Sequence, residues 1–313
     1  MRFRSILAAA GAAVTLAATP ALATDIGIIA FQMSSDTHAR VANAAEAAAE
    51  ELGWSVTLLN SAGAMPQHAA QIENLIQAGV DGIIIAMGKP VETDAQLAAA
   101  KEAGIPVITV ASGGSQQTLF DVQANEYQVG AQMALYLLGE LGYEGTILQE
   151  RFEGNVATRI RGRILDAVLA ENQAVETAGT HAMARTASWR EDVRSGMEAL
   201  LLQNQGNVNG IWASFDGQAF IIDDILAQQG LSKGDVVLVS ADGGPEAYER
   251  IADPTSLLSA TVRVPFEEMG EIAVDSMKRI LDGEEASAIT SGPYFLVDAV
   301  LVTENNVAEY LSE

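Results

Sequence analysis

The chain has 313 residues, with 17 Lys and Arg against 41 Asp and Glu, a formal net charge of -24 and no cysteine. That length suits two domains of ordinary size with ample core. The acidic balance excludes nucleic acid as a partner, because phosphate binding needs a basic face, and the lack of cysteine excludes thiolate chemistry and cysteine-ligated metal. The acids are scattered rather than gathered in a tail, as on a solvated surface; docking on a basic partner is the open alternative.

Arg2 and Arg4 open the chain, and residues 6–18 form an apolar run too short to span a bilayer. Ala21-Leu22-Ala23 then presents small residues at both positions a signal peptidase reads. This predicts a secretory leader over 1–23, cleaved after Ala23, and a mature protein outside the cytoplasm; an uncleaved anchor is the alternative. With no cysteine, there is no lipid-attachment site.

Residues 26–31 are a short apolar run with β-branched residues, read as a strand. Val41, Ala45, Ala48 and Leu52 then recur on one face of a helix, which Gly53 ends. A strand at 55–59 follows, then a helix marked by Ala69, Ile72, Leu75 and Ile76 and closed by Gly79. Ile83-Ile84-Ile85 is the continuous apolar run of a strand buried on both faces. A helix at 93–103 stops at Gly104, and 106–110 is another buried strand. Beyond Gly113-Gly114 the rhythm continues. Strands are expected at 119–122, 146–148, 175–178, 210–212, 236–239 and 257–262. Helices are expected around Tyr127, Ala131, Ala134 and Leu138, then at 157–169, 189–202 and 216–228, with a short one after 239. A long helix at 266–281 turns Met269, Ile272, Ala273, Met277 and Ile280 to the core, and the chain ends in one apolar stretch, 294–302.

Alternating strand and helix imply mainly parallel sheets covered on both faces. Roughly ten strands are too many for one core at the usual domain size of about 100–150 residues, so the expected α/β architecture is two doubly wound lobes.

Glu51-Leu52-Gly53-Trp54, Ala78-Gly79-Val80-Asp81-Gly82-Ile83-Ile84-Ile85 and Ala103-Gly104-Ile105-Pro106-Val107-Ile108-Thr109 resemble segments of the periplasmic sugar-binding proteins of the ribose-binding type. Arg159-Ile160-Arg161-Gly162 is similar to that family's arginine-bearing helix start. Ile211-Trp212-Ala213-Ser214-Phe215-Asp216 and Val239-Ser240-Ala241-Asp242-Gly243 are similar to its two ligand loops. The resemblance implies two parallel-sheet lobes joined by a hinge of three crossings. The first would hold 24–123 and 264–291, the second 124–263 and 292–313. Ligand would lie between them, and a monomer would deliver it to the membrane permease of an ABC importer without cofactor or catalysis.

Binding a sugar takes fixed donors and acceptors for its hydroxyls and flat aromatic surfaces for its C–H faces. Phe31 ends the first strand, and Ser35, Thr37 and His38 stand where the family carries an asparagine and two aromatics. Ser112 follows the fourth strand, where the family's usual acid–arginine pair is missing. Arg159 matches the second-lobe arginine, Trp189 is a stacking candidate, and Phe215 replaces a frequent asparagine. Asp216 either meets ligand or caps the next helix. Asp242 ends an apolar strand before Gly243-Gly244, with its carboxylate free to accept from two hydroxyls, and Arg263 occupies a hinge position that usually carries glutamine. Each also has a plainer reading as core, cap or surface. His38, His68 and His181 lie in different units without ligand spacing, so no metal is expected.

The function expected is therefore capture of a monosaccharide, polyol or related small polar compound for import. The alternative is a receptor that presents a sugar acid or furanose-like signal to a chemoreceptor or sensor kinase. A repressor would need a basic helix-turn-helix where the apolar leader stands, and no hydrolase elbow or phosphate loop occurs.

Overall fold

The computed structural model describes residues 23–312, so the predicted leader lies outside the described residues apart from Ala23. In the first sheet, β1 (Asp25–Ala30), β2 (Ser55–Asn60), β3 (Gly82–Ala86), β4 (Val107–Val110) and β5 (Asp121–Ala124) alternate with α1 (Asp36–Glu51), α2 (Met65–Ala78) and α3 (Asp94–Glu102). The chain then crosses to a second sheet. There β6 (Gly145–Arg151), β7 (Val175–Ala182), β8 (Gly210–Ala213), β9 (Val237–Asp242) and β10 (Leu258–Arg263) alternate with α4 (Glu126–Glu140), α5 (Val156–Glu171), α6 (Trp189–Gln203), α7 (Asp216–Gln228) and α8 (Pro245–Ala252). It returns for α9 (Phe266–Leu281), the short α10 (Ala286–Ile289) and β11 (Tyr294–Val297), and crosses again for β12 (Val300–Thr303).

The sheet orders are β11-β5-β4-β3-β1-β2 and β12-β10-β9-β8-β6-β7. Apart from the edge strands β11 and β12, the second order repeats the first shifted by five strands, although the two halves share no obvious sequence. The two parallel-sheet lobes expected from the alternation are thus present. Strands β1 and β3 are buried almost throughout, as their apolar runs require, whereas the edge strand β2 alternates exposed and covered positions. Helix α9 lays Phe266, Met269, Ala273, Val274 and Met277 on the core, while Ile272 and Ile280 are only half-buried.

Three local expectations shift. The fifth strand is Asp121–Ala124 rather than 119–122, and β6 runs on to Arg151. The terminal apolar stretch is two strands, not one element. Tyr294–Val297 pairs in parallel with β5, and Val300–Thr303 pairs antiparallel with β10. Residues 294–297 therefore belong to the first sheet, where the sequence reading put all of 292–313 with the second lobe. The third crossing lies between Val297 and Val300.

Two close approaches fix the second lobe. Gly130 of α4 packs against α5, where an added Cβ would stand 2.9 Å from the Arg161 Cα. Gly243 takes φ +74° beside β10, where a Cβ would be 2.8 Å from the Arg263 Cα. No helix among the described residues is long and apolar enough to cross a membrane.

Candidate functional site

Doubly wound sheets bind ligands outside the carboxyl ends of their strands, where the strand order reverses. In these two sheets the reversals fall between β1 and β3 and between β6 and β8. Phe31 follows β1, Gly88-Lys89 follow β3, Phe152 follows β6 and Phe215 follows β8. The two reversal points face each other. The Arg185 guanidinium, in the loop after β7, lies 5.9 Å from the Phe31 ring centroid. On the other side Arg40 of α1 donates from Nη1 to the Gly243 carbonyl of the second lobe at 2.7 Å.

In the first lobe the structure assembles most of the predicted set. The Phe31 ring is 2% exposed, with His68 edge-on at 5.4 Å, His38 at 6.4 Å and the Lys89 ammonium at 5.7 Å. Ser35 precedes α1 in extended backbone, and its hydroxyl lies 3.4 Å from that of Thr37 without capping the helix. The two hydroxyls are hydrogen-bond partners of each other, and either can be the donor. The His38 Nδ1 is buried with no hydrogen-bond partner among the described residues. Burial, and secondarily the charge of Arg185, push the His38 imidazole down to about 4, so it is neutral at physiological pH.

Ser112 has a different task. Its Oγ accepts from the Gly88 N–H at 2.8 Å and donates to the Val110 carbonyl at 2.9 Å. The Ser112 and Gly113 amides each donate to the buried Asp121 carboxylate at 3.1 Å. Ser112 therefore ties the end of β4 to the loop carrying Lys89, and the plainer reading as a turn residue describes its contacts. Burial pushes the Asp121 carboxyl up to about 6, against the hydrogen bonds from Thr109, Ser112 and Gly113.

In the second lobe Phe215 is the centre of an aromatic cluster, with Trp189 at 5.6 Å and Phe152 at 6.1 Å. Arg190 stacks on Trp189 at 4.4 Å. Phe152 escaped the sequence reading; its only signal was a place just beyond β6. Asp216 lies beneath this floor rather than in the cleft. It is buried and accepts from Ser240 Oγ at 2.5 Å, Thr261 Oγ1 at 2.7 Å and Gly243 N–H at 2.7 Å. It thus binds β8, β9 and β10 together and holds the turn that carries Asp242.

Asp242 is half-buried at that turn with φ +134°, a conformation L residues rarely adopt. Its Oδ1 accepts from Arg161 Nη1 at 2.9 Å. Arg161 also grips Glu126 through Nε at 2.6 Å and Nη2 at 3.2 Å, and its side chain is 2% exposed. Burial pushes the Asp242 carboxyl up to about 7, with Arg161 pulling it back down. The buried arginine is therefore Arg161, which sequence reasoning passed over. Arg159 is half-buried and donates to the Glu153 carbonyl at 2.7 Å. Arg263 is half-buried with its guanidinium 5.8 Å from the Tyr310 ring, toward the C-terminal segment. Near it, Arg40 binds Glu267 through Nε at 2.6 Å and Nη2 at 2.9 Å, a second pair absent from the sequence reading.

The arrangement offers two aromatic surfaces on opposite lobes, a hydrogen-bonded pair of hydroxyls at Ser35 and Thr37, a neutral imidazole whose Nδ1 has no partner among the described residues, and an acidic turn held by Arg161. Such a set can hold a small polyhydroxylated molecule by stacking and hydrogen bonds. No group of three His, Asp or Glu placed to hold a metal ion occurs among the described residues.

Known proteins share this organisation. The chain is 24% identical over 275 residues to the ribose import binding protein of Bacillus subtilis, covering 86% of this chain and 85% of that protein. It is 27% identical over 303 residues to a xylitol-binding protein of Mycolicibacterium smegmatis, covering 90% of this chain and 78% of the relative. The solved structure of an ABC sugar transporter subunit from Rhodobacter sphaeroides superposes with a TM-score of 0.80 at 27% identity, over 90% of this chain and 99% of that one. Residues 26–285 match the periplasmic binding protein domain, and with two parallel-sheet lobes meeting at their strand ends, the chain belongs to that family.

Proposed function

We propose that this protein is the solute-binding component of an ABC importer. It captures a sugar or polyol between its lobes and presents it to a membrane permease. The observation that carries this reading is the pair of facing strand-order reversals, with Phe31 on one side, the Trp189–Phe215 cluster on the other, and the unpartnered His38 Nδ1 beside them. Relatives that bind ribose and xylitol supply the ligand class. Phe31, Trp189 and Phe215 stack on the ligand. Ser35, Thr37 and His38 meet its hydroxyls, Asp242 accepts from them, and Arg159 and Arg263 bound the cleft. Ser112 and Asp216 hold the loops that carry these groups. The protein works as a monomer in the periplasm after removal of its leader at Ala23, and it performs no chemistry on the ligand.

Closure favours ligand by population shift, because the closed form makes contacts to both lobes that the open form lacks. The test is a thermal-shift screen of residues 24–313 against pentoses, hexoses, polyols and their acids. A ligand that binds only the folded state raises the melting temperature as its concentration rises. A concentration-dependent shift that disappears in Phe215→Ala supports the cleft. Absence of any shift from folded, ligand-free protein overturns the sugar and polyol assignment.

A further inference from the structure

We infer that the ligand carries an anionic group, a carboxylate or a phosphate ester, held between Lys89 of the first lobe and Arg185 of the second. This rests on the cleft reading above and narrows its ligand class. Two cations converge on one ring: the Lys89 ammonium is 5.7 Å and the Arg185 guanidinium 5.9 Å from the Phe31 centroid. They come from opposite lobes, one from the loop after β3 and the other from the loop after β7.

The chain has acids in large excess, and six of its arginines use them. Arg40, Arg151, Arg161, Arg194, Arg250 and Arg279 each pair with a carboxylate. Among the described residues none pairs with Arg185, whose one hydrogen bond is a long 3.5 Å contact to the Gly154 carbonyl. Arg159 lies against the neighbouring Glu153 carbonyl at 2.7 Å, also without a carboxylate partner among the described residues. Among the described residues Lys89 pairs with Glu92 alone, at 3.1 Å and on its own loop. Of the acids around the cleft, Asp242 is committed to Arg161 and Glu267 to Arg40, while Asp192 accepts from the Ala184 amide beside Arg185 at 2.7 Å.

Two like charges directed at one ring repel each other. An oxyanion between them reverses the sign, and the guanidinium fork suits either a carboxylate or a phosphate. Closure is thereby coupled to the charge of the ligand as well as to its hydroxyls.

The experiment is calorimetric titration of residues 24–313 with matched pairs: xylitol against xylonate, and ribose against ribose 5-phosphate. The anionic member should bind at least tenfold tighter than its neutral parent. Arg185→Gln and Lys89→Gln should each erase most of that difference while leaving affinity for the neutral parent within about threefold. Raising salt from 50 to 500 mM should weaken the anion and spare the parent. Xylonate alone gaining affinity identifies a carboxylate, ribose 5-phosphate alone a phosphate. A neutral parent that binds as tightly as its acid overturns the inference and leaves the sugar reading intact. If no member of either pair binds, both fail together. Circular dichroism of the two variants, whose substituted side chains are at the surface, separates lost binding from lost fold.

Discussion

The sharpest consequence of the fold concerns Arg40. Its guanidinium, 14% exposed, is held by Glu267 through two hydrogen bonds and spends its remaining nitrogen on the Gly243 carbonyl across the cleft, at 2.7 Å. The Gly243 amide in turn donates to the buried Asp216 carboxylate at 2.7 Å, which ties the turn presenting the carbonyl to the floor of the lobe. A hydrogen bond from a charged donor contributes about 1.5–3 kcal/mol, and this one spans the two lobes. Its loss in Arg40→Ala is expected to weaken ligand affinity by about ten- to a hundredfold, since about 1.4 kcal/mol is a factor of ten. The value should fall near the lower end, because water can reach the freed carbonyl. The Arg40–Glu267 pair is partly exposed, so stability of the unliganded protein should fall by no more than about 1 kcal/mol. Arg40→Lys keeps the charge without the planar fork and should fall between wild type and Arg40→Ala. Calorimetric titration gives the affinities, and small-angle scattering with and without ligand reports closure. An affinity for Arg40→Ala within twofold of wild type would refute the bridge as a contributor to the bound state.

Four further outcomes follow from the contacts. Arg161→Met leaves Glu126 and Asp242 buried without their cation and should cost about 3–5 kcal/mol, read as a calorimetric melting temperature lower by about 10 °C; a fall under 2 °C would contradict the network. Gly130→Ala forces a Cβ against the Arg161 backbone and should cost about 1–3 kcal/mol by overpacking, measurable in urea unfolding. His38→Phe keeps the ring beside Phe31 but removes the unpartnered nitrogen. It should leave the unliganded melting temperature nearly unchanged and weaken ligand about tenfold if a hydroxyl meets Nδ1. The pH dependence has a definite sign. Burial, then the charge of Asp192, raises the Glu150 carboxyl to about 9, and burial raises Asp121 to about 6. Raised acids give stability that is full below their unfolded values and lost as pH rises through the folded ones. Burial lowers His38 and His68 to about 4, so their contribution is full above about 6.5 and lost as pH falls toward 4. Above pH 6.5 first Asp242, raised to about 7, and then Glu150 continue to lose stability, so the melting temperature should decline from pH 6.5 to 9, and Glu150→Gln should flatten that decline above pH 7. A decline equally steep in the variant would remove Glu150 as its source.

The alternation of apolar strand and amphipathic helix, the buried β3 and the strand-end places of Phe31, Phe215 and Asp242 were determined by the sequence itself, because period and punctuation are properties of neighbouring residues. Partnership was not. Asp216 and Asp242 both look like carboxylates at the mouth of a cleft, yet Ser240, Thr261 and Gly243 draw Asp216 into the floor. Arg159 and Arg161 stand two residues apart, about 200° around a helix of 3.6 residues per turn, and only the packing of α4 on α5 decided that Arg161 is the buried one. The stretch 294–302 reads as one apolar run, and the sheets divided it because each had a free edge to fill, beside β5 and beside β10. Arg40 reaches a carbonyl 203 residues away, and Lys89 and Arg185 meet over a ring on a third segment. Local periodicity carries no information about contacts at that separation; they exist only once both lobes have folded and their strand ends are brought face to face.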